Sequence, residues 1–263
     1  MKKAAFLPAV FCLLALAPAS PLDRLPAGPA GVIVRRAIDH TGGWAAWDSK
    51  RTVQFKKTVI RYRPDGSVER RRVQFHRYVL RPEMKGRIEF EEDGRRIVFI
   101  NSGGQAVKVV DGKLASTQDD TNSARNNTFG SHYVFSMPFK LTDPGVHLEP
   151  AGEERLGKTR VEKVRVTYDK GAGDAGGMHV WTYYFDKATG RLVANNLKYE
   201  AAKYDYTEYL DERPIAGLNL PMRRLGYEAD ERGKKGRRNS EILYEDVRFD
   251  APMADALFAL PRR

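Results

Sequence analysis

The sequence predicts a mainly β domain, an α+β chain built on one large, strongly curved antiparallel sheet that wraps one or more short helices. Three observations carry that expectation. From Thr52 onward, apolar residues recur at every second position through most of the chain, the period of a half-buried strand. Hairpin punctuation separates the runs: Pro64-Asp65-Gly66, Asp93-Gly94, Ser102-Gly103-Gly104 and Asp186 to Gly190. Helical periodicity is confined to a short segment near the N-terminus, with no internal repeat and no linker.

The first nineteen residues read as a signal peptide. Lys2 and Lys3 precede an apolar run from Ala4 to Ala17, and Ala17-Pro18-Ala19 has the small-x-small pattern of a cleavage site, so cleavage is expected near Ala19. The run is too short for a membrane span of about 20 residues, and no other segment approaches that length. Residues 20–30, "SPLDRLPAGPA", carry no periodicity and read as a flexible lead, leaving 31–263 as a single domain. Within it, Ile33, Ala37 and Ile38 share one helical face, and Gly42-Gly43 stops that helix. Trp44 and Trp47 follow on a second short turn.

Five strands then read as a meander: "TVQFKKTVIRYR", "SVERRRVQFHRYVL", "KGRIEFEED", "RRIVFI" and "QAVKVV". The pattern breaks over "LASTQDDTNSARNNTFGS", which suits an irregular loop or a partly helical insertion. The stretch "YVFSMPFKLTDPG" follows, placing Tyr133, Phe135, Met137, Phe139 and Leu141 on alternate positions before a Pro-Gly turn. Strands resume with a second meander that ends at "NSEILYEDVRFD", so that about 11 strands, or one more, are expected. The period puts Val53, Phe55 and Val59; Val73, Phe75 and Val79; Ile88 and Phe90; Ile97 and Phe99; Val164, Val166 and Tyr168; and Trp181, Tyr183 and Phe185 on the inward face.

Composition excludes several function classes. The formal charge is +11, falling to +9 without Lys2 and Lys3, yet the charges are spread rather than striped and export argues against nucleic acid. The densest basic run, Arg232 to Arg238, reads as an exposed hairpin tip. The only cysteine, Cys12, lies inside the apolar run without the Leu-x-(Gly/Ala)-Cys pattern of a lipid-modified N-terminus, so the mature chain offers no disulfide and no cysteine metal site. His40, His76, His132, His147 and His179 show no metal-ligand spacing, and no nucleophile elbow, phosphate loop or dinucleotide fingerprint occurs. Glu153-Glu154 and Asp119-Asp120 sit in polar, turn-rich contexts and read as solvated. Tyr199, Tyr204, Tyr206 and Tyr209 read as strand formers with wet tips. No catalytic residue, metal site or cofactor is expected.

The order of a helix ending in Gly-Gly-Trp, a meander, a crossing, "MPFKLTDPG", a second meander with "YFDKATGRL", then "LNLPMRRLGYE" and "VRFDAPMADALFALP" resembles secreted bacterial proteins of the LolA/LolB-like superfamily. The resemblance covers the chain beyond about residue 30 and implies an open half-barrel around helices, with apolar space between them for acyl chains. It implies a non-enzymatic periplasmic or secreted protein that binds a lipid or another amphiphile, such as a lipoprotein acyl chain. The groove and its rim would then be formed by Trp44, Trp47, Phe55, Phe75, Phe99, Tyr133, Phe135, Phe139 and Trp181, with the ladder after the polar break either a lid or rim over the apolar concavity or, the reading favoured for any single residue, a strand or half-helix that seals the barrel mouth as core. The alternative is an envelope interaction module contacting another envelope protein, its interior filled by Trp44, Trp47 and Phe135. A hydrolase ranks last.

Overall fold

The computed structural model describes residues 20–261. Thirteen strands form one open antiparallel sheet in the order β6-β5-β4-β3-β2-β1-β13-β12-β11-β10-β9-β8-β7. Two meanders, β1 (Thr52–Tyr62) to β6 (Lys113–Ala115) and β7 (Val146–Leu156) to β13 (Lys235–Phe249), are thus zipped together where the first strand pairs with the last. The intervening strands are β2 (Val68–Val79), β3 (Lys85–Glu92), β4 (Arg95–Ser102), β5 (Gln105–Val110), β8 (Thr159–Tyr168), β9 (Val180–Asp186), β10 (Leu192–Glu200), β11 (Lys203–Ile215) and β12 (Leu218–Ala229). The strand not foreseen is β6, whose three residues are too few to show a period.

Helices α1 (Pro29–His40), α2 (Trp44–Asp48) and α3 (Gln118–Phe135) lie on one face of the sheet, here the inner face. The inner face of α1 is Ala30, Gly31, Ile33, Val34, Ala37 and Ile38, and Gly42 ends the helix at φ +115°. A Cβ on Gly42 would lie 2.2 Å from the Gly217 carbonyl oxygen, so glycine is required both for the backbone angle and for docking onto the β11–β12 turn. The Asn219 amide N–H donates to the Thr41 carbonyl and its side chain to the His40 carbonyl, which pins the same junction. Gly190 repeats the device: at φ +82°, its missing Cβ leaves room for the Arg36 carbonyl of α1.

Three sequence expectations are corrected. The lead over 20–30 is tied down rather than loose: Pro21–Arg24 forms a capped 3₁₀ turn, Leu25 is buried and Arg24 donates to the Thr142 carbonyl. Of the irregular loop and the partly helical insertion expected after Leu114, the structure has the helical one, and it runs further than expected, as a continuous helix over residues 118–135. Thr117 caps it by accepting from the Asp120 N–H, and Asp119 and Asp120 sit favourably in its first turn. Tyr133 and Phe135 therefore belong to the last turn of α3, and Phe139–Thr142 forms a 3₁₀ turn. The third correction concerns β2, whose inner face carries Gln74, His76 and Tyr78 while Phe75 is half exposed on the outer face. The register with β1 is unbroken from Arg70 to Val79, so Val73, Phe75 and Val79 share one face; the inner face is the other parity, held by the polar-tipped Gln74, His76 and Tyr78, and reading the apolar side as inward picks the wrong face.

The outer face is partly covered as well. The C-terminal segment packs Leu260 against Val98, Ile100 and Val109, and Arg87 donates to the Leu257 carbonyl. The basic hairpin tip folds back, with Gly233 close under the Tyr184 hydroxyl and Lys235 over the rings of Tyr206 and Tyr227.

Candidate functional site

The inner face is covered by α3 and the segment that follows it; the first three turns of α3 are held largely by polar contacts, whereas Tyr133, Phe135, Met137, Phe139 and Leu141 are buried in the core. Of the 18 residues of α3, Ala124, Thr128, His132, Tyr133 and Phe135 are buried, so its first three turns lack an apolar stripe. Four strands reach up to it. The Tyr78 hydroxyl donates to the Thr128 carbonyl at 3.2 Å, the Asn101 amide to Thr128 Oγ1 at 3.2 Å, Lys57 Nζ to Ser131 Oγ at 3.1 Å and Arg224 Nη2 to the Val134 carbonyl at 2.9 Å. Beneath the cover, His132 Nδ1 and Nε2, Ser136 Oγ and Arg224 Nε are buried without a hydrogen-bond partner. Each such group carries a desolvation cost on the order of 1–3 kcal/mol.

The charges on this face are unusual for an interior. Register places Arg72, Val59, Ile242, Arg224 and Tyr209 in one row across β2, β1, β13, β12 and β11. Lys57 stands one step inward beside Tyr244 and Gln74, and Arg61 one step outward beside Ser240. The Arg224 guanidinium, 4 % exposed, lies between the rings of Tyr209 and Tyr244 with its Cζ 5.0 Å from each centroid. Burial, reinforced by Arg224, Arg61 and Arg72, lowers the Lys57 ammonium to about 7. His76 stacks on Phe55 at 4.8 Å and is held neutral, well below the usual histidine range, first by burial and then by Lys57.

Seven of the nine residues expected to line a groove meet in one cluster: Trp44, Trp47, Phe55, Tyr133, Phe135, Phe139 and Trp181. Trp47 stacks on Phe139 at 4.8 Å, and Phe135 stacks on Phe55 at 4.5 Å. The Tyr133 hydroxyl donates to that of Tyr168 at 2.8 Å, and burial raises Tyr133 far above the usual phenol range. Phe99 joins a separate cluster with Ile88, Phe90 and Ile97 under Ala124 of α3, and Phe75 stands on the opposite face. The inward assignments for β3, β4, β8 and β9 hold: Ile88, Phe90, Ile97, Phe99, Val164, Val166, Trp181, Tyr183 and Phe185 are buried. In this closed arrangement the cavity at Val134, Phe135, Met137, Tyr209 and Arg224 measures about 10 Å³, room for one water at most.

Sequence reasoning missed the polar residues of the inner face. Their signal was parity: Lys57 falls between Phe55 and Val59 on the apolar face of β1, and Arg224 continues the series Leu218, Leu220, Met222 on β12. A charge on the buried parity of a strand is costly and therefore informative. Tyr209, read as wet-tipped, is buried against Arg224, and the Asn195 amide donates to its hydroxyl. Among the described residues, no three His, Cys, Asp or Glu side chains gather closely enough to hold a metal.

Residues 98–207 match a family model described as a family of unknown function, DUF6503. No curated protein matches the sequence. Among solved structures, the chain is similar to a DUF1329 family protein from Desulfovibrio piger (13 % identity, 89 % of this chain and 98 % of the other, TM-score 0.55). It is also similar to a LolA superfamily protein from Nitrosomonas europaea (12 % identity, 89 % and 99 % coverage, TM-score 0.53). A third is a structure described as an outer membrane lipoprotein-sorting protein domain from Vibrio parahaemolyticus (11 % identity, 86 % and 94 % coverage, TM-score 0.53). At such identities the likeness concerns the fold, and the fold is LolA-like: an open, unclosed antiparallel sheet with short helices on one face.

Proposed function

We propose that this is a non-enzymatic binding protein for a lipid or another amphiphile, exported to the periplasm or beyond, which takes its ligand onto the inner face when the first three turns of α3 lift away while residues 133–142 stay packed on the sheet. The single observation that carries the reading is the way α3 is attached. It covers an aromatic sheet face while burying few apolar residues of its own, and it leaves polar atoms stranded beneath it. Such a cover is inexpensive to displace, and an acyl chain would replace it with apolar contact at about 0.8 kcal/mol per buried methylene. Among the described residues no helix is long and apolar enough to cross a membrane. The signal peptide at 1–19 lies outside the described residues, and N-terminal sequencing of the exported protein should begin near Ser20.

The test is a titration with a fluorescent fatty acid, followed by amide exchange over 118–135. Saturable binding with faster exchange in α3 is the expected result; binding with no change in exchange there would remove the gating. A second reading, an envelope interaction module with a filled interior, is favoured by the 10 Å³ cavity. It expects no saturable binding of the fatty acid.

A further inference from the structure

The inner face holds a charge pattern that an acyl chain alone does not require. Neighbouring cations on the same strands show the contrast. Lys56 and Arg223 point outward and are paired with Glu245 and Glu241, whereas Lys57 and Arg224 point inward and, like Arg61, take part in no ion pair among the described residues. Arg72 on the adjoining strand is already engaged by Glu92 and lies over the Phe90 ring at 4.5 Å. The other ionisable groups facing this place are His76, Tyr244, Tyr209 and Asp205; Asp205 accepts from the Asn239 amide and is itself desolvated. Three basic side chains without a paired carboxylate are therefore spread over β1 and β12: Lys57 and Arg224 under the cover, and Arg61 exposed at the rim, where its charge acts on Asp205. Between Lys57 and Arg61 on one side and Arg224 on the other lies a floor of half-buried Val59 and Ile242.

We propose that Lys57, Arg61 and Arg224 form a site for a phosphate-type oxyanion on the inner face at the border of α3, so that the amphiphile is one with an anionic phosphate headgroup. This step rests on the amphiphile reading given above. The site is anchored in the interior: Arg224 is almost wholly buried, clamped between two tyrosine rings, and its Nε has no partner, while Arg61 stands exposed at the rim. A guanidinium so placed offers directional donors to an oxyanion. A phosphate monoester brings a charge of roughly −1.5 to −2 and three acceptor oxygens, enough to answer cations on both sides of the Val59–Ile242 floor, where a carboxylate would answer one. The aliphatic floor and the aromatic cluster under Val134 and Phe135 lie next to the charges, so that headgroup and chain have adjoining places. Burial first, and then the neighbouring Arg224, Arg61 and Arg72, depress Lys57, and an incoming oxyanion offsets the like-charge part of that cost.

The experiment titrates the full mature chain with dodecyl phosphate, dodecyl maltoside and inorganic phosphate, all below micelle formation, using K57Q/R61Q and, as the control, the outward-facing K56Q. Dodecyl phosphate is expected to bind at least tenfold more tightly than the maltoside. K57Q/R61Q should lose that advantage, and K56Q should keep it. Binding of inorganic phosphate that is lost in K57Q/R61Q, with neither amphiphile bound, would retain the oxyanion site, make its source free phosphate and overturn the amphiphile reading. Equal affinities for the two dodecyl compounds, indifferent to K57Q/R61Q, would overturn the oxyanion site while leaving the amphiphile reading in place. No binding of any probe would overturn both. Circular dichroism of each variant confirms that the fold is retained.

Discussion

Replacing Phe135 by alanine probes the join between cover and sheet. The side chain is 6 % exposed, stacks on Phe55 with centroids 4.5 Å apart, and has Tyr244 and Phe249 at 5.7 and 6.4 Å. A buried Phe→Ala change costs about 3–5 kcal/mol, which includes about 0.5–1.5 kcal/mol for an aromatic pair. Because Phe135 sits on the last turn of a helix with few buried residues, the chain can settle partly into the void, which favours the lower half of that range. For a domain of this size each kcal/mol shifts the melting temperature by about 2–4 °C, so the expected drop is roughly 6–16 °C. Thermal melts followed by near-ultraviolet circular dichroism measure it, with V32A, at a 58 % exposed position of α1, as the reference. A loss below about 2 °C, equal to that of V32A, would refute the packing argument and mean that the cover is already off the sheet in solution.

Lys57 gives a pH effect of defined sign. Its folded value of about 7 lies below the unfolded 10.5, so the unfolded chain binds the extra proton between these values and stability gains up to about 1.4 kcal/mol per pH unit as pH rises through that window. K57M should therefore gain most relative to the parent at pH 6.5 and lose that gain by pH 10; a constant difference in urea midpoints would contradict the burial. Glu89 behaves oppositely: hydrogen bonding to Arg87 first, with Arg96 and Arg77 adding, lowers it to about 2, so its contribution is complete above the unfolded value near 4.5 and disappears as pH falls towards 2. E89Q should flatten the acid limb of the stability profile, and an unchanged limb would dismiss that network. G42A, which forces a Cβ to within 2.2 Å of a carbonyl oxygen at positive φ, should cost at least about 1–3 kcal/mol, and a neutral result in urea unfolding would mean that the α1–β12 junction is looser than described.

Much of the architecture is legible because it rests on local rules. Period-two runs and Gly-containing turns identify twelve of the thirteen strands, and α1 shows both its apolar face and its glycine stop. What escaped depends on events that sequence periodicity does not register. On β2 the apolar residues Val73, Phe75 and Val79 hold the outer parity and Gln74, His76 and Tyr78 the inner one, a reversal invisible when the strand is read alone. Helix α3 is polar because its partners are polar: Tyr78, Asn101, Lys57 and Arg224 meet its backbone and hydroxyls, so no amphipathic stripe announces it. Seven of the nine aromatic residues of the candidate site could be grouped from residue type and order, while Phe99 and Phe75 fall outside that cluster. The cationic half of the site could be read only by asking why Lys57 and Arg224 occupy the apolar parity of their strands.

The central claim is that the inner face exists to receive an amphiphile, and native mass spectrometry of the protein purified from a bacterial envelope without detergent tests it most directly. The account expects a population carrying a non-covalent adduct of lipid mass, removed by organic extraction and lost at lower collision energy in K57Q/R61Q than in the parent. A protein that emerges uniformly at its apo mass, and stays so after incubation with envelope lipids, would contradict it.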